Sequence, residues 1–573
     1  MEESRNGLTE RIGGTYPVWR EKATADPDLI PELREMEGND ARITDAFYRD
    51  LEFGTAGLRG VIGAGTNRMN VYTVTRATRG LARYLVAKAE KEGRRPSAAV
   101  CCDSRIKSRL FAETTARVFA SEGVRVYIWR TLMPVPCLSF TVRELSCDAG
   151  VMITASHNPS EYNGYKVFGP DGCQITSDSV VEISGMIASV GYFEGDEPIS
   201  FEEGLSGGMI SFVPDGVYDS YVRAVKARST LRDGSAADRN IKIVYSPLNG
   251  AGLLPVTRVL GECGFGRVTV VKKQREPDGR FPTCPFPNPE LPEALSIGIS
   301  RAKALGADVM FATDPDCDRI GVAARDDDGS YRVLTGNQIG TLLLEYICST
   351  LRSEGRMPER PVCVKTIVTA GICEKIAAAY GVECHNVLTG FKYIGEYIGQ
   401  LEAEGREDSF VFGFEESCGY LSGSYVRDKD GVVASMLLCE LAAVLRAKGS
   451  GLCRELRRIY AKYGYALNEG VSYYFKGIDG FERMENIMVS LRRVPEKIGG
   501  LAVTGMKDYA PGLDGLPPSD VVAFSLEGGS SVIIRPSGTE PKLKAYFEVS
   551  APDRENAGKI MSLLKEDVAA IMK

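Results

Sequence analysis

Two stretches of the 573-residue chain stand out for chemistry. In Asp314-Pro315-Asp316-Cys317-Asp318-Arg319, three carboxylates occupy alternate positions. On an extended backbone alternate side chains share one side, so all three could point at one hard cation. An EF-hand is excluded: it needs Gly at the sixth loop position and Glu at the twelfth, where Arg319 and Arg325 stand. The plain alternative is a solvated acidic turn. Thr154-Ala155-Ser156-His157-Asn158-Pro159 opens an irregular turn that reaches Asn163-Gly164-Tyr165-Lys166. It sets a hydroxyl beside an imidazole, with a lysine ten residues on. A hydrolase triad is disfavoured. Sequence neighbours rarely face each other as nucleophile and base, and no Gly-x-Ser-x-Gly elbow surrounds Ser156. A Ser/Asn-rich turn is the other reading.

Three further stretches are weaker taken singly. Phe414-Glu415-Glu416-Ser417-Cys418-Gly419 offers Glu415 as a bidentate acceptor for neighbouring hydroxyls, as on a sugar, and Arg427-Asp428-Lys429-Asp430-Gly431 follows it. Arg535-Pro536-Ser537-Gly538-Thr539 combines a guanidinium fork, two hydroxyls and turn N–H groups, which suits a phosphate. It is not a P-loop, since no Gly-x-x-x-x-Gly-Lys-Ser/Thr is present. Phe53-Gly54-Thr55-Ala56-Gly57-Leu58-Arg59-Gly60 allows close backbone approach, with Arg59 supplying charge. Taken alone, the Glu415 segment reads first as a surface turn, and a plain hairpin turn accounts for the Arg535 segment equally well.

Positioning such residues requires strands that end at them. Apolar runs at 98–102, 150–154, 241–245, 308–312, 361–365 and 409–413 predict buried strands. They stop at Asp103, Ala155-Ser156, Asp314 and Glu415, among others. Helical spacing over 71–92 predicts a helix between strands. The pattern predicts three α/β units, with ligands gathering at the C-terminal strand ends. Strands at 521–526, 531–535 and 542–549, then a helix over 552–573, predict an α+β unit on an antiparallel sheet. The expected units are 1–208, 209–325, 326–450 and 451–573, with loops near 199–216 and 275–292.

Composition removes several classes. Lys and Arg number 69 against 76 Asp and Glu, a net charge of -7 that disfavours a nucleic-acid coat. No apolar run approaches a membrane span and no signal peptide is visible, so no membrane partner is expected. Fifteen Cys with no Cys-x-x-Cys read as reduced thiols of a cytoplasmic protein. Only His157 and His385 are present, which excludes a His-rich zinc site.

Taken together and in order, the loops resemble those of the α-D-phosphohexomutase family, the phosphoglucomutases and phosphomannomutases. Thr-Ala-Ser156-His157-Asn158-Pro is similar to its phosphoserine loop, Asp314-x-Asp316-x-Asp318-Arg319 to its magnesium loop, Glu415-Glu-Ser417 to its sugar loop, and Arg535-Pro-Ser537-Gly538-Thr539 to its phosphate loop. Phe53–Gly60, Asn67-Arg-Met-Asn70 and Phe281–Pro289 resemble the long bacterial α-phosphoglucomutase and phosphopentomutase subgroup. The sequence departs from the family pattern at Phe414, Tyr425 and Pro315.

The resemblance implies three similar α/β domains and a TATA-binding-protein-like C-terminal domain. It implies Ser156 as phosphoryl carrier, with Ser156, Asp314, Asp316 and Asp318 around one Mg²⁺. It implies catalytic roles for His157, Lys166 and Arg319. Arg59, Thr389, Glu415, Ser417, Lys429, Arg535, Ser537, Gly538 and Thr539 would contact substrate. The implied reaction interconverts α-D-glucose 1-phosphate and glucose 6-phosphate, with glucose 1,6-bisphosphate as intermediate and activator. Mannose or pentose phosphates are the alternative substrates. A sugar-bisphosphate synthase and a non-catalytic sugar-phosphate sensor are the remote ones. The partner is a small phosphosugar, and monomer and dimer both stay open.

Overall fold

The computed structural model describes residues 2–54, 57–232, 234–475, 478–537 and 542–573. Four sheets follow one another along the chain. In the first, the spatial order is Gly57–Val61, Tyr162–Phe168, Ala149–Ile153, Ser97–Cys102, Arg125–Ile128, Ile210–Phe212. The last four run parallel, and Tyr162–Phe168 runs against both its neighbours. The second sheet is Tyr331–Leu334, Ile320–Arg325, Val309–Thr313, Ile243–Ser246, Val268–Val270. The third is Glu383–Val387, Val362–Thr366, Phe410–Glu415, Gly419–Leu421. Every residue of Ala149–Ile153, Val309–Thr313 and Val362–Thr366 is buried, as befits parallel strands covered on both faces.

The three α/β sheets share one device. A buried strand with a parallel neighbour is followed at once by an antiparallel partner: Ala149–Ile153 by Tyr162–Phe168, Val309–Thr313 by Ile320–Arg325, Phe410–Glu415 by Gly419–Leu421. A parallel neighbour needs a long crossover, whereas an antiparallel one needs only a turn. These turns are the Ser156, Asp314–Arg319 and Glu416–Cys418 segments. Each holds one non-glycine residue at positive φ: Ser156 at 52°, Cys317 at 50° and Cys418 at 65°. Left-handed backbone costs such residues about 1–2 kcal/mol, so the same strain recurs at three equivalent positions.

Helix Val71–Glu90 begins at Asn70, whose side chain accepts from Thr73 N while the Thr73 hydroxyl accepts from Asn70 N. The expected loop at 199–216 is instead a helix, Phe201–Ser206, and strand Ile210–Phe212, which extends the first sheet. The helix is capped reciprocally by Ser200 and Glu203, a spacing that outweighs the flanking glycines. Residues 275–291 carry only an isolated bridge at Gly279.

The fourth sheet is antiparallel, in the order Tyr465–Tyr474, Lys542–Ala551, Ser531–Pro536, Val522–Leu526, Leu501–Asp508, Lys497–Ile498. Helices Ile478–Leu491 and Arg554–Ile571 bury Met484, Met488, Met561 and Leu564 against it. Helix Leu452–Tyr463 packs Leu452, Leu456 and Ile459 into the large core that also holds the second and third sheets. Among the described residues no helix is long and apolar enough to cross a membrane.

Candidate active site

Asp314, Asp316 and Asp318 converge: one oxygen of each lies within 4.8 Å of the others, and all three residues are buried. The convergence does not come from an extended run. After Thr313 the chain turns, and Asp314 Oδ1 accepts the backbone N–H groups of Asp318 (3.1 Å) and Arg319 (3.0 Å). Sequence alternation reached the right residues through the wrong geometry. Burial and the two neighbouring carboxylates push Asp314 well above the usual carboxylate range, and Asp318 is raised by burial and Asp316. Burial opposes ionisation of Asp316 as well, but Lys166 holds it low. Asp316 Oδ1 and Asp318 Oδ1 are buried without a hydrogen-bond partner. Buried orphan carboxylate oxygens aimed together form the donor set of a hard divalent cation such as Mg²⁺.

Ser156 lies against this cluster. Its Oγ donates to Asp314 Oδ2 at 2.9 Å and lies 3.3 Å from His157 Nδ1. Neighbours in a regular strand would diverge; the left-handed backbone at Ser156 breaks that alternation and brings the two side chains together. Burial, then the Arg319 and Arg59 guanidiniums, push the His157 imidazole well below its usual range. It is therefore a neutral ring at neutral pH.

Cations frame the carboxylates. Lys166 Nζ donates to Asp316 Oδ2 at 2.8 Å and lies 3.7 Å from Asp318. Lys429 Nζ lies 3.2 Å from Asp318 and 2.9 Å from Asp428. Arg319 pairs with Glu290 at 2.8 Å, and its other arm is 4.0 Å from Glu415. Arg59 donates to Asn158 Oδ1 at 3.1 Å, carried there by the pairing of Gly57–Val61 with the strand of Lys166. That pairing demands glycine at 57, where φ is 143° and a Cβ would sit 1.8 Å from Tyr165 O.

Ser417 Oγ donates to buried Glu415 at 2.8 Å. The Thr389 hydroxyl is buried without a hydrogen-bond partner. Arg535 stands on the fourth sheet, with Nε 3.4 Å from the Tyr546 hydroxyl, and Ser537 N donates to Lys542 O at 2.8 Å. Gly538 and Thr539 lie outside the described residues. Contacts thus join Ser156, His157, Lys166, the three aspartates, Arg319, Lys429, Glu415 and Ser417 into one cluster. Arg59 reaches it through Asn158, and Arg535 and Ser537 sit on a separate sheet.

Sequence reasoning missed part of the support. Thr154 Oγ1 accepts from Ser156 N at 2.8 Å and lies 2.6 Å from Asp103 and 3.2 Å from Asp316. Asp103 also accepts from Ser108 Oγ at 2.8 Å and Arg105 N at 3.0 Å. The signal was available: Asp103 ends a buried strand just as Asp314 does. The departures from the family pattern are absorbed by packing. Phe414 fills the space left by Gly340, Pro315 lies against Gly250, and Tyr425 donates to Asp430 at 2.6 Å.

A hydroxyl, a carboxylate triad suited to a divalent cation and converging lysine and arginine side chains are the equipment of phosphoryl transfer, which depends on positioning and charge neutralisation. Comparison with known proteins gives the family. Models of phosphoglucomutase/phosphomannomutase α/β/α domains I, II and III match residues 50–192, 219–329 and 335–463, and that of the C-terminal domain matches 491–563. The chain belongs to the phosphoglucomutase/phosphomannomutase family. A phosphoglucomutase of Staphylococcus epidermidis is 36% identical over 538 residues, covering 92% of this chain and 95% of the relative. One of Staphylococcus aureus is 34% identical over 563 residues, covering 96% and 98%. Among solved structures, parafusin (phosphoglucomutase) of Paramecium in an open form superposes with a TM-score of 0.67 at 16% identity, covering 92% and 95%. A family protein of Burkholderia thailandensis gives 0.65 at 19%, covering 91% and 97%. These two show the fold.

Proposed function

We propose that the chain is a phosphosugar mutase interconverting α-D-glucose 1-phosphate and glucose 6-phosphate, with Ser156 carrying the phosphoryl group. The observation that carries this reading is the 2.9 Å approach of Ser156 Oγ to one member of a buried carboxylate triad, two of whose oxygens have no hydrogen-bond partner. Glucose is chosen because the staphylococcal relatives are phosphoglucomutases.

Asp314, Asp316 and Asp318, with an oxygen on Ser156, would hold the Mg²⁺. When bound, the ion offsets the charge of the phosphoryl group and polarises it. The residues do the rest. Phosphoserine brings about two negative charges to this loop, and Arg319 and Lys166 face them. Neutral His157 is within reach of Ser156 Oγ to accept its proton, and Lys166 is the proton donor or acceptor on the sugar side. Glu415 and Ser417 bind sugar hydroxyls. Arg535, Ser537, Gly538 and Thr539 clamp the phosphate that is not reacting. Ser156 gives its phosphate to one end of the sugar phosphate. The bisphosphate turns over, and the other phosphate returns to Ser156.

The test is intact-mass analysis after incubation with glucose 1,6-bisphosphate and Mg²⁺. One added phosphate, mapped to Ser156, and loss of turnover by at least ~10³-fold in Ser156→Ala are expected. A phosphate mapped elsewhere removes the assignment. Parallel assays with glucose, mannose and ribose 1-phosphates decide the sugar.

A further inference from the structure

The hydrogen bonds of the Arg105 guanidinium go to the backbone of the Ser156 turn. Its side chain is fully buried. Nη1 donates to Pro159 O at 2.8 Å and Tyr162 O at 3.0 Å, and Nη2 donates to the carbonyls of Ser156 and Asn158. Asp103 balances the charge at 3.4 Å from Nε. The turn thus closes around a rigid, planar fork, which a lysine ammonium cannot reproduce.

Arg105 is itself held by the second unit. Its backbone bridges to Gly279, where a Cβ would stand 2.4 Å from Ile106 N. Its guanidinium lies 5.1 Å from the ring centroid of buried Phe281. The irregular segment 275–291, which also supplies Glu290 to Arg319, thereby fixes the Ser156 turn to the unit that carries the aspartates.

Resting on the reading of Ser156 as phosphoryl carrier, we infer that Arg105 is a positioning residue for Ser156, seated by Gly279 and Phe281. It touches neither the hydroxyl nor the carboxylate triad. Its task is to keep the turn's backbone fixed while Ser156 alternates between free and phosphorylated forms, since a displacement of about 1 Å costs on the order of 100-fold.

The experiment uses full-length Arg105→Lys and Phe281→Leu with Mg²⁺ and glucose 1,6-bisphosphate. Arg105→Lys is expected to lower kcat by roughly 30- to 100-fold with KM within about 2-fold, and to slow Ser156 phosphorylation by a similar factor. Amide exchange should rise in 155–163 and stay unchanged in 314–319. Phe281→Leu should give the same pattern at about a tenth of the size. A folded Arg105→Lys with wild-type kcat overturns the inference, as does a rise in exchange across the whole first unit with kcat and KM moving together. If Arg105→Lys does not fold, Phe281→Leu decides: a lower kcat at constant KM supports the inference, and unchanged kcat overturns it. Wild-type protein that takes no phosphate on Ser156 sinks the parent reading. Wild-type protein that is phosphorylated at the same rate as both variants sinks only this one.

Discussion

The junction between the first and second sheets and the contact between the third and fourth are built differently. At the first, Val135 N donates to Asp316 O at 3.0 Å, Ser156 and Lys166 bond the aspartates directly, and Arg105 bridges Gly279. At the second, a small apolar patch of Val368, Leu388, Ile533 and Tyr546 is supplemented by Glu548, which accepts from Gly371 N at 2.8 Å. A cavity of about 340 Å³, lined by Glu416, Asn337, Lys544 and Glu548, separates the rest. A phosphoryl group in transfer tolerates little displacement, so the groups around it are locked together. On the proposed mechanism the fourth unit is a clamp that must release and recapture an intermediate, which a looser attachment serves.

Substitutions can break this contrast. After loss of Ser156 itself, the largest effect is expected from Asp316→Asn, which removes the hydrogen-bond partner of Lys166 and one carboxylate of the triad. It should lower kcat by at least ~100-fold, about 2.7 kcal/mol, and raise the Mg²⁺ requirement. Full activity in excess chelator would contradict it. Arg535→Ala should act on binding instead, raising KM by roughly 10- to 150-fold and equally for every phosphosugar, because phosphate is common to all. A kcat loss without a KM change would make the fourth unit part of the chemistry. Glu415→Ala should change the ratio of glucose to mannose to pentose kcat/KM by roughly 10-fold, since a site built to bond a hydroxyl discriminates by leaving its own group unpaired. An unaltered ratio removes Glu415 from the sugar site.

The smallest effect concerns the tie between the first and third units. Arg143 first, and then Arg427, hold Glu402 down to about 2. A depressed carboxylate stabilises the folded state above its unfolded value and loses that contribution as pH falls toward the folded one. Glu402 is 41% exposed, so Glu402→Gln should destabilise by only about 1 kcal/mol at neutral pH. The difference from wild type should vanish between pH 4.5 and about 2 in denaturant titrations. A pH-independent difference would assign the loss to packing.

Much of this was readable from residue order alone. Buried strands announce themselves as short apolar runs, and the polar residue ending each run marks the site, as at Ser156, Asp314 and Glu415. What escaped depends on turn geometry. The facing of Ser156 and His157 needs a left-handed residue that no periodicity signals. Arg105 works through carbonyls, which every residue owns, so its side-chain type alone did not single it out. The short strand Ile210–Phe212 was masked by its neighbouring glycines, although the Ser200 and Glu203 spacing ahead of it was a usable signal.

The order of strands in the fourth sheet also bears on how the chain is made. Lys542–Ala551 lies between Tyr465–Tyr474 and Ser531–Pro536, pairing with both, yet is synthesised after either. Units emerging from a ribosome fold in sequence, so the first three have their sheets complete while the fourth is still in two pieces. Until Lys542–Ala551 arrives, the ten-residue strand Tyr465–Tyr474 has no sheet partner and offers its backbone to any other chain. A nascent chain stalled before Lys542 therefore carries three finished units and one open strand edge, and the last sheet closes only with that final central strand.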